Sequence, residues 1–249
     1  MYDVAVIGAG IAGMSTAARL QAAGLSTLLL EAHRFPGGCA GFFRRAGFSF
    51  DVGATTLVDF EPKGVGGELM QAIGMHPLEG EQLPGYIAWL PNKKIILYRD
   101  STLWAKERLS VLGNSLAHQE FWALFDRLAA AFWSASRQGI KLPIQSLKDV
   151  YFGAKTLGIK NWPLVRYLNW TVTDALEAYG LHKDKPLTSL LSMLIEDTVH
   201  STIDDAPLIN GALGATIRGA GLMRARGGMY GFWRRFISCY RKLHDFEGY

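Results

Sequence analysis

The spacing of three glycines near the amino terminus constrains this chain most strongly. Gly8, Gly10 and Gly13 form the pattern G-x-G-x-x-G. The pattern follows the apolar run 2–7 and opens a helical stretch over 11–23. In such a strand-turn-helix the first glycine permits a tight turn, the second lets a pyrophosphate approach bare backbone, and the third allows close helix packing. We therefore predict a strand buried on both faces and a dinucleotide at the turn.

A carboxylate follows the second predicted strand, 26–30. Glu31 comes 18 residues after Gly13, close to the usual distance of about 20 residues to the acid that binds the adenosine ribose. Such an acid repels a 2′-phosphate, so NADP fits poorly. The alternative is a glycine-rich turn of an ordinary α/β protein. The predicted cofactor contacts in this part of the chain are Gly8, Ala9, Gly10, Ile11, Ala12, Gly13, Glu31 and Ala32.

A glycine pair and a hairpin favour FAD over NAD. Gly37-Gly38 begins a loop with three glycines in five positions, where a ligand can approach the backbone closely. Residues 42–45 and 48–51 are predicted as the arms of a hairpin that returns Gly53 towards the cofactor. A plain NAD domain usually continues into another βα unit instead. The alternatives are an ordinary loop for the glycine pair and a turn or capping role for Asp51.

These motifs carry a family resemblance. The strings GAGIAG and LLLEAHRFPGGCAGFFRRAGFSFDVGATT resemble the FAD-dependent carotenoid desaturase and isomerase family. Within the phytoene desaturase and amine oxidase superfamily, they look most like the branch of the C-3′,4′-desaturase and the carotene isomerase. Weaker similarity continues through 54–75, 89–100, 173–181 and 227–229, so the resemblance covers most of the chain. Its specific motifs lie before residue 60.

The resemblance implies roles for individual residues. The glycine turn and Glu31 would hold the ADP half of FAD, Gly37-Gly38 would lie near the pyrophosphate, and Gly53 near the flavin ring. Cys39 stands where the superfamily usually has arginine, and Gly41 where the branch often has a hydroxyl residue. One phosphate contact from a side chain is therefore expected to be missing. Cys39 is counted among the cofactor-binding residues, as a redox thiol or, preferably, a small buried residue that fills the turn.

Composition sets limits on partners and location. Hydrophobic residues make up 49% of the 249 residues and charged residues 19%, but no apolar run reaches the ~18 residues of a spanning helix. The first predicted strand leaves no room for a signal peptide, so we expect a cytoplasmic protein, peripheral at the inner face of a membrane. The cysteine and histidine spacings predict no metal site, and a Cys39–Cys239 disulfide is not expected in a reducing compartment.

The predicted fold is α/β, with three segments. Residues 1–83 form a Rossmann-like FAD-binding part with an incomplete parallel sheet. Residues 84–205 form a hairpin plus a mostly helical, substrate-binding and membrane-facing domain, and 206–249 form a basic segment that returns to the FAD domain.

Apolar stripes such as that of 120–137 predict ordinary helix packing, or alternatively a groove for a long apolar substrate or a face that dips into a bilayer. Five tryptophans support the second interpretation: Trp104, Trp122, Trp133, Trp162 and Trp170.

The last segment has no acid between residues 206 and 244 but is rich in arginine. A helix from Gly227-Gly228 would be amphipathic and basic, which suits anionic lipid or, alternatively, packing on the FAD domain. No nucleic-acid partner is expected, because no recognised binding motif accompanies the charge.

Two functions are considered. The first is an FAD-dependent oxidoreductase that desaturates or isomerises a polyene such as a carotenoid. Family members continue for about the same length again, so the expected partners include a separate carboxy-terminal half or a second copy, besides an apolar polyene and a membrane surface. The second is a non-catalytic nucleotide-binding fragment or partner subunit with a membrane-facing surface. The sequence identifies no catalytic side chain.

Overall fold

The computed structural model describes residues 1–139 and 145–245. In these ranges the β-strands are, in chain order, β1 (Val4–Ile7), β2 (Thr27–Leu30), β3 (Ala40–Arg45), β4 (Phe48–Gly53), β5 (Leu57–Val58), β6 (Gly80–Gln82), β7 (Gly85–Leu90), β8 (Lys93–Tyr98) and β9 (Leu222–Ala225). The α-helices are α1 (Ile11–Ala22), α2 (Val65–Ala72), α3 (Ser101–Val111), α4 (Leu116–Arg137), α5 (Leu147–Leu157), α6 (Val172–Ala178), α7 (Lys185–Val199), α8 (Leu208–Thr216) and α9 (Gly228–Asp245). Two 3₁₀ helices are Ile159–Tyr167 and Ile217–Ala220.

The chain divides into two compact units. The first contains Met1–Pro84 and the chain from Ala220 onward, and the second contains Gly85–Gly219. The segment 206–249 is therefore divided between them. Helix α8 packs on α4 and α7 in the second unit, whereas β9 and α9 lie in the first.

The first unit begins with a parallel βαβ arrangement. Strands β1 and β2 pair in register from Val4 opposite Thr27 to Ile7 opposite Leu30, and α1 packs on both strands. This pair confirms the predicted incomplete parallel sheet. The prediction that β1 is buried on both faces is wrong, since half-buried and exposed residues alternate along it and Ile7 is 86% exposed. The physical reason is that this sheet has only two strands among the described residues, with α1 packed against them.

The other strands of the first unit pair in antiparallel fashion. Strands β3 and β4 form the predicted hairpin, turned at Ala46 and Gly47, which both have positive φ. Strand β9 lies between β5 and β6 in a three-stranded sheet. Helix α9 packs against α1, β3 and β4. The apolar face of α9 supplies much of the core through Met229, Phe232, Trp233 and Phe236, all of which are buried.

The second unit is a hairpin followed by helices. Strands β7 and β8 pair from Gly85 opposite Tyr98, and α3 packs on β8. Asp100 is the amino-terminal cap of α3, because its carboxylate accepts a hydrogen bond of 2.8 Å from the Leu103 amide. No helix in the described ranges is long and apolar enough to cross a membrane.

The tryptophans of the second unit do not form one surface. Trp104 and Trp122 are buried in the core, where their rings meet edge to face and Arg108 lies against both. The predicted membrane-facing role is therefore wrong for these two residues. Ordinary packing explains them, since a buried aromatic ring contributes a large apolar area to a helical core. Trp162, by contrast, is exposed.

A buried histidine joins two helix caps in the second unit. His118 lies within hydrogen-bond distance of the Ser115 hydroxyl, at 2.7 Å, and of the Asp184 carboxylate, at 3.0 Å. Ser115 caps α4 and Asp184 caps α7. Ser115 and His118 are three residues apart, but Asp184 lies 66 positions after His118, and the sequence gives no signal of that contact. Because both partners serve as helix caps, this Ser–His–Asp cluster is structural.

Candidate dinucleotide-binding site

The glycine turn and the glycine pair lie side by side at the end of the parallel sheet. The Gly8 amide donates a hydrogen bond of 2.7 Å to the Leu30 carbonyl. The Gly37 amide donates one of 2.9 Å to the Ala9 carbonyl, and Gly10 forms a parallel bridge with Gly37. The structure thus brings the two predicted glycine motifs together at the carboxyl ends of β1 and β2, where α/β sheets bind ligands.

The second and third glycines of the turn have different structural requirements. A Cβ atom at Gly13 would lie 1.9 Å from the Gly8 carbonyl oxygen, so close packing of α1 excludes any side chain there. A Cβ atom at Gly10 would contact only the Gly38 Cα, at 3.8 Å, which is an ordinary contact distance. The fold therefore does not need a glycine at position 10, and the space beside it is available to a ligand.

The amino terminus of α1 is suited to an anion. Gly10 is its cap residue, no side chain caps it, and its first turn contains no acid. The first amides of a helix have no partner within the helix, and they carry a partial positive charge. Ile11 and Ala12 are exposed, so a phosphate can reach these amides. The residues present fit the pyrophosphate of a dinucleotide.

The predicted ribose acid reaches back to the glycine turn. Glu31 accepts hydrogen bonds from the Ala9 amide at 2.6 Å and from the His33 amide at 2.8 Å. These bonds, that of His33 first, lower the pKa of Glu31 below its ordinary value. The side chain is exposed, but its charged carboxylate is held beside the turn, with lone pairs left to accept from ribose hydroxyls. Ala32 follows it and is also exposed.

The hairpin returns Gly53 to the loop of the glycine pair. The Ala54 amide donates a hydrogen bond of 3.3 Å to the Cys39 carbonyl, and Gly53 pairs with Ala40. Gly53 has a φ of +73°, and a Cβ atom there would lie 2.2 Å from the Cys39 carbonyl oxygen. Only glycine fits this position, because the Gly53 backbone lies directly against the Cys39 carbonyl in the loop of the glycine pair.

The exposure of Cys39 differs from the preferred prediction. The prediction of a small buried residue is wrong, since Cys39 is exposed, next to the exposed Gly38. The loop directs its backbone carbonyl inward, to the Ala54 amide, and leaves the thiol in solvent. Both cysteines are free, and Cys239 is half-buried, with burial raising the pKa of its thiol.

This difference between the two thiols can be used to probe the site. We expect iodoacetamide near neutral pH to alkylate Cys39 about tenfold faster than Cys239, because reactivity follows thiolate content and access. Saturating FAD should slow the alkylation of Cys39 alone. Peptide mass spectrometry over time measures both rates, with Cys39→Ser as the control for assignment. An unchanged rate at Cys39 in the presence of FAD would place the cofactor elsewhere.

Helix α9 holds the loop of the glycine pair, a role that the sequence did not reveal. The Trp233 indole donates a hydrogen bond of 2.6 Å to the Ala40 carbonyl, and a Cβ atom at Gly37 would lie 2.8 Å from the same nitrogen. The Tyr240 hydroxyl donates to the Thr27 carbonyl at 3.0 Å. Helix α9 is thus attached to β2 and β3 on either side of the glycine pair. Its regular aromatic spacing was a signal of packing, but it did not identify the partners.

Asp51 proves to be a capping residue, for a distant helix. Its carboxylate accepts a hydrogen bond of 2.9 Å from the Met229 amide at the start of α9 and lies 3.6 Å from the Arg224 guanidinium. The side chain is 7% exposed. A cavity of about 800 Å³ borders this cap and contains no predicted cofactor residue; its lining is Ser49, Asp51, Glu79, Gly80, Glu81, Arg224, Ala225, Arg226, Gly227 and Gly228.

The packing of α9 decides between the two interpretations of the basic tail. Its apolar face is buried in the first unit, so that face is not available to a bilayer. Part of the charge of the basic tail is used within the unit, since Arg235 of α9 and Arg226 just before α9 lie 3.1 Å and 3.2 Å from the Glu79 carboxylate. The structure therefore supports packing on the dinucleotide-binding unit.

Known proteins share sequence similarity with this chain. Residues 6–72 match the family model of the NAD(P)-binding Rossmann-like domain. A chloroplastic prolycopene isomerase of Daucus carota is 30% identical over 177 residues, 63% of this chain and 28% of the isomerase. A lycopene-forming phytoene desaturase of Pantoea ananas is 41% identical over 91 residues, 36% of this chain and 17% of the desaturase. The chain thus matches less than a third of the length of these relatives.

The solved structures agree on the fold. A putrescine oxidase bound to putrescine superposes with a TM-score of 0.60 at 18% identity, over 98% of this chain and 49% of the oxidase. The predicted Rossmann-like α/β fold class is confirmed. The relatives carry the names of a prolycopene isomerase and a lycopene-forming phytoene desaturase. The resemblance of this chain to the carotenoid desaturase and isomerase family is confirmed.

Proposed function

We propose that this chain binds FAD and forms the cofactor-bearing part of an oxidoreductase that desaturates or isomerises an apolar polyene such as a carotenoid. The observation that carries the proposal is the position of the Glu31 carboxylate, 2.6 Å from the Ala9 amide of the glycine turn. A ribose hydroxyl and a pyrophosphate of one dinucleotide can be held there together. When bound, the flavin would supply the two-electron chemistry.

The chain's own residues bind and orient the cofactor. The amides that begin α1 hold the pyrophosphate, and Glu31 holds the ribose. Gly37-Gly38 and Gly53 leave backbone bare for the rest of the cofactor. In the proposed division, the unit of residues 1–84 and the chain from 220 onward binds FAD, and the unit of residues 85–219 contacts the polyene.

A second polypeptide segment is proposed to complete the parallel sheet. Ile7 and Leu30, at the carboxyl ends of β1 and β2, are both exposed. Exposed apolar groups beside unpaired strand edges favour the addition of further strands. We propose a carboxy-terminal half, in the same chain or a separate one, as the partner that covers them and closes the flavin site. The assembly is proposed to work at the periphery of a membrane, since a carotenoid partitions into the bilayer.

Replacing the ribose acid tests the cofactor assignment. Glu31→Arg should weaken FAD binding about 100-fold, because it removes charge-assisted hydrogen bonds to the ribose and opposes the helix amino terminus. Glu31→Gln should weaken binding by about tenfold. Quenching of flavin fluorescence measures both affinities. Glu177→Arg, the same charge change at an exposed site on α6, should leave affinity unchanged. Equal affinity in Glu31→Arg and the wild type would remove the assignment.

The activity is tested in the assembled protein. The chain is co-expressed with a complementing carboxy-terminal half, and the complex is incubated with lycopene-type polyenes. A shift of the visible spectrum with the cofactor bound supports the oxidoreductase, whereas a complex without flavin contradicts it.

A non-catalytic binding module is the second candidate, favoured by the two-stranded sheet with its exposed residues. Purification of the chain alone distinguishes the candidates. Yellow protein with flavin absorbance supports a cofactor-bearing part, and soluble but colourless protein supports a binding module.

A further inference from the structure

Four apolar side chains form an exposed row along the 3₁₀ helix Ile159–Tyr167. A 3₁₀ helix has three residues per turn, so side chains three apart lie directly above one another. The row members share this spacing, with Leu168 as the carboxyl cap residue. They are Ile159, Trp162, Val165 and Leu168, which are 87%, 54%, 42% and 59% exposed. Leu164 and Tyr167 are buried instead, so the helix has one face in the core and one apolar face in solvent.

The preceding helix extends this row with aromatic and basic side chains. Tyr151 and Phe152 of α5 are exposed. Lys148 and Lys155 are also exposed. The positions 148, 151, 152 and 155 follow the i, i+3, i+4, i+7 spacing of one α-helical face. The aromatic pair therefore lies between two lysines on the same side of α5.

Basic residues predominate in this stretch of the chain. Residues 150–173 contain no Asp or Glu but include Lys155, Lys160 and Arg166, and Asp149 precedes them in the first turn of α5. An exposed apolar row, a tryptophan and flanking lysines are features of a helix that lies in the interface of an anionic bilayer.

We propose that this region is a lipid-binding surface that docks on anionic phospholipid headgroups and inserts its apolar row among the acyl chains. The lipid-binding surface consists of Tyr151, Phe152, Lys155, Ile159, Lys160, Trp162, Val165 and Leu168. The proposal rests on the peripheral membrane association given under the proposed function and assigns it to one place in the second unit.

Charge favours a bilayer over a second copy of the chain. A symmetric contact through this surface would bring Lys155 and Lys160 of both copies together without an acid from 150–173 to separate them, and like charges at short range repel. Anionic headgroups instead attract each lysine, at a strength that falls with salt. Lysine stems also lie along apolar surface while their charged ends reach headgroups.

Vesicle co-sedimentation of the full chain tests the proposal, with phosphatidylcholine vesicles that contain or lack phosphatidylglycerol. The wild type should bind the anionic vesicles. The double variant Ile159→Gln/Leu168→Gln should bind them at least about tenfold more weakly, because two side chains no longer insert. Lys155→Gln/Lys160→Gln should lose about tenfold on the anionic vesicles and little on the neutral ones.

The control variant is Leu116→Gln, which changes an equally exposed apolar residue at the start of α4 and should bind vesicles like the wild type. Circular dichroism of each variant confirms that the fold is retained. The proposal would be overturned if the wild type bound neither the anionic nor the neutral vesicles, or if the variants bound the anionic vesicles as the wild type does. A lipid-free dimer that only Ile159→Gln/Leu168→Gln dissociates would also overturn it, since the surface would then be a contact between copies.

FAD titration of the same samples separates the two proposals. Lipid binding that depends on the surface, in a chain that does not bind FAD, supports the lipid-binding surface and contradicts the proposed function. If the chain binds FAD and the variants bind vesicles as the wild type does, the proposed function is supported and the lipid-binding surface is contradicted.

Discussion

Gly13→Ala should destabilise the first unit by about 4 kcal/mol, near the upper end of single-residue effects. A methyl group at position 13 would lie 1.9 Å from the Gly8 carbonyl oxygen, so α1 must move away from the turn that it follows. The free energy of unfolding of an ordinary protein is about 5 to 15 kcal/mol, so this change removes a large share of it. Urea unfolding followed by circular dichroism measures the change.

Gly10→Ala is the matched variant, and we expect it to change FAD affinity but not the free energy of unfolding. The new methyl group would meet only the Gly38 Cα, at 3.8 Å, so the free energy of unfolding should stay within about 0.5 kcal/mol of the wild type. It would occupy the space through which the pyrophosphate approaches, so FAD affinity should fall by about 2 to 3 kcal/mol, roughly 100-fold. A Gly10→Ala protein that binds FAD normally would show that the phosphates lie elsewhere.

Trp233→Ala should cost about 4 kcal/mol of stability and also weaken FAD binding. The side chain is fully buried, and truncation of a buried tryptophan leaves a cavity. It also removes the hydrogen bond to the Ala40 carbonyl, which holds the loop of Gly37-Gly38 against α9. Chemical unfolding and flavin fluorescence quenching measure the two effects.

Trp233→Phe separates packing from the hydrogen bond. It retains most of the apolar volume but leaves the Ala40 carbonyl without its donor, at a cost of about 1 to 3 kcal/mol. Trp122→Phe is the control, since the Trp122 indole nitrogen has no hydrogen-bond partner among the described residues. FAD affinity should fall in Trp233→Phe and stay unchanged in Trp122→Phe. Equal affinity in both variants would refute the role of α9 in holding the loop.

The part of the fold that could be predicted from sequence is the part set by local chemistry. Glycine spacing identified the turn because only bare backbone fits at Gly13, against the Gly8 carbonyl. The hairpin β3–β4 was predicted for the same reason, since Ala46-Gly47 supplies the positive φ angles of its turn. Glu31 followed from its position at the end of β2. Each signal lies within a few residues of the structure that it specifies.

What could not be predicted depends on contacts between distant residues. Asp51 could be recognised as a capping carboxylate, but its partner, the Met229 amide, lies 178 positions further along the chain. The burial of Trp104 and Trp122 depends on how α3 meets α4, which composition does not reveal. The exposure of Ile7 depends on which strands are present, whereas its apolar sequence context predicts burial.

The exposed row of the second unit shows the same limit. Ile159, Trp162 and Val165 are three apart, a spacing that has no meaning until the backbone is known to be a 3₁₀ helix. In an α-helix, with 3.6 residues per turn, the row would drift around the axis. From the sequence, Trp162 could be grouped only with four other tryptophans, none of which is exposed. Its true neighbours on the surface could not be recognised, because the sequence does not identify the helix type.

The most direct test of the dinucleotide site is an ADP titration of the full chain, labelled with ¹⁵N and followed by amide NMR. ADP carries the pyrophosphate and ribose without the flavin, so it examines only the glycine turn and its acid. The shifts should be largest at the amides of Gly10, Ile11 and Ala12, with a further shift at His33 as Glu31 engages the ribose. Saturable shifts confined to other residues, or no shifts at the glycine turn, would contradict the account.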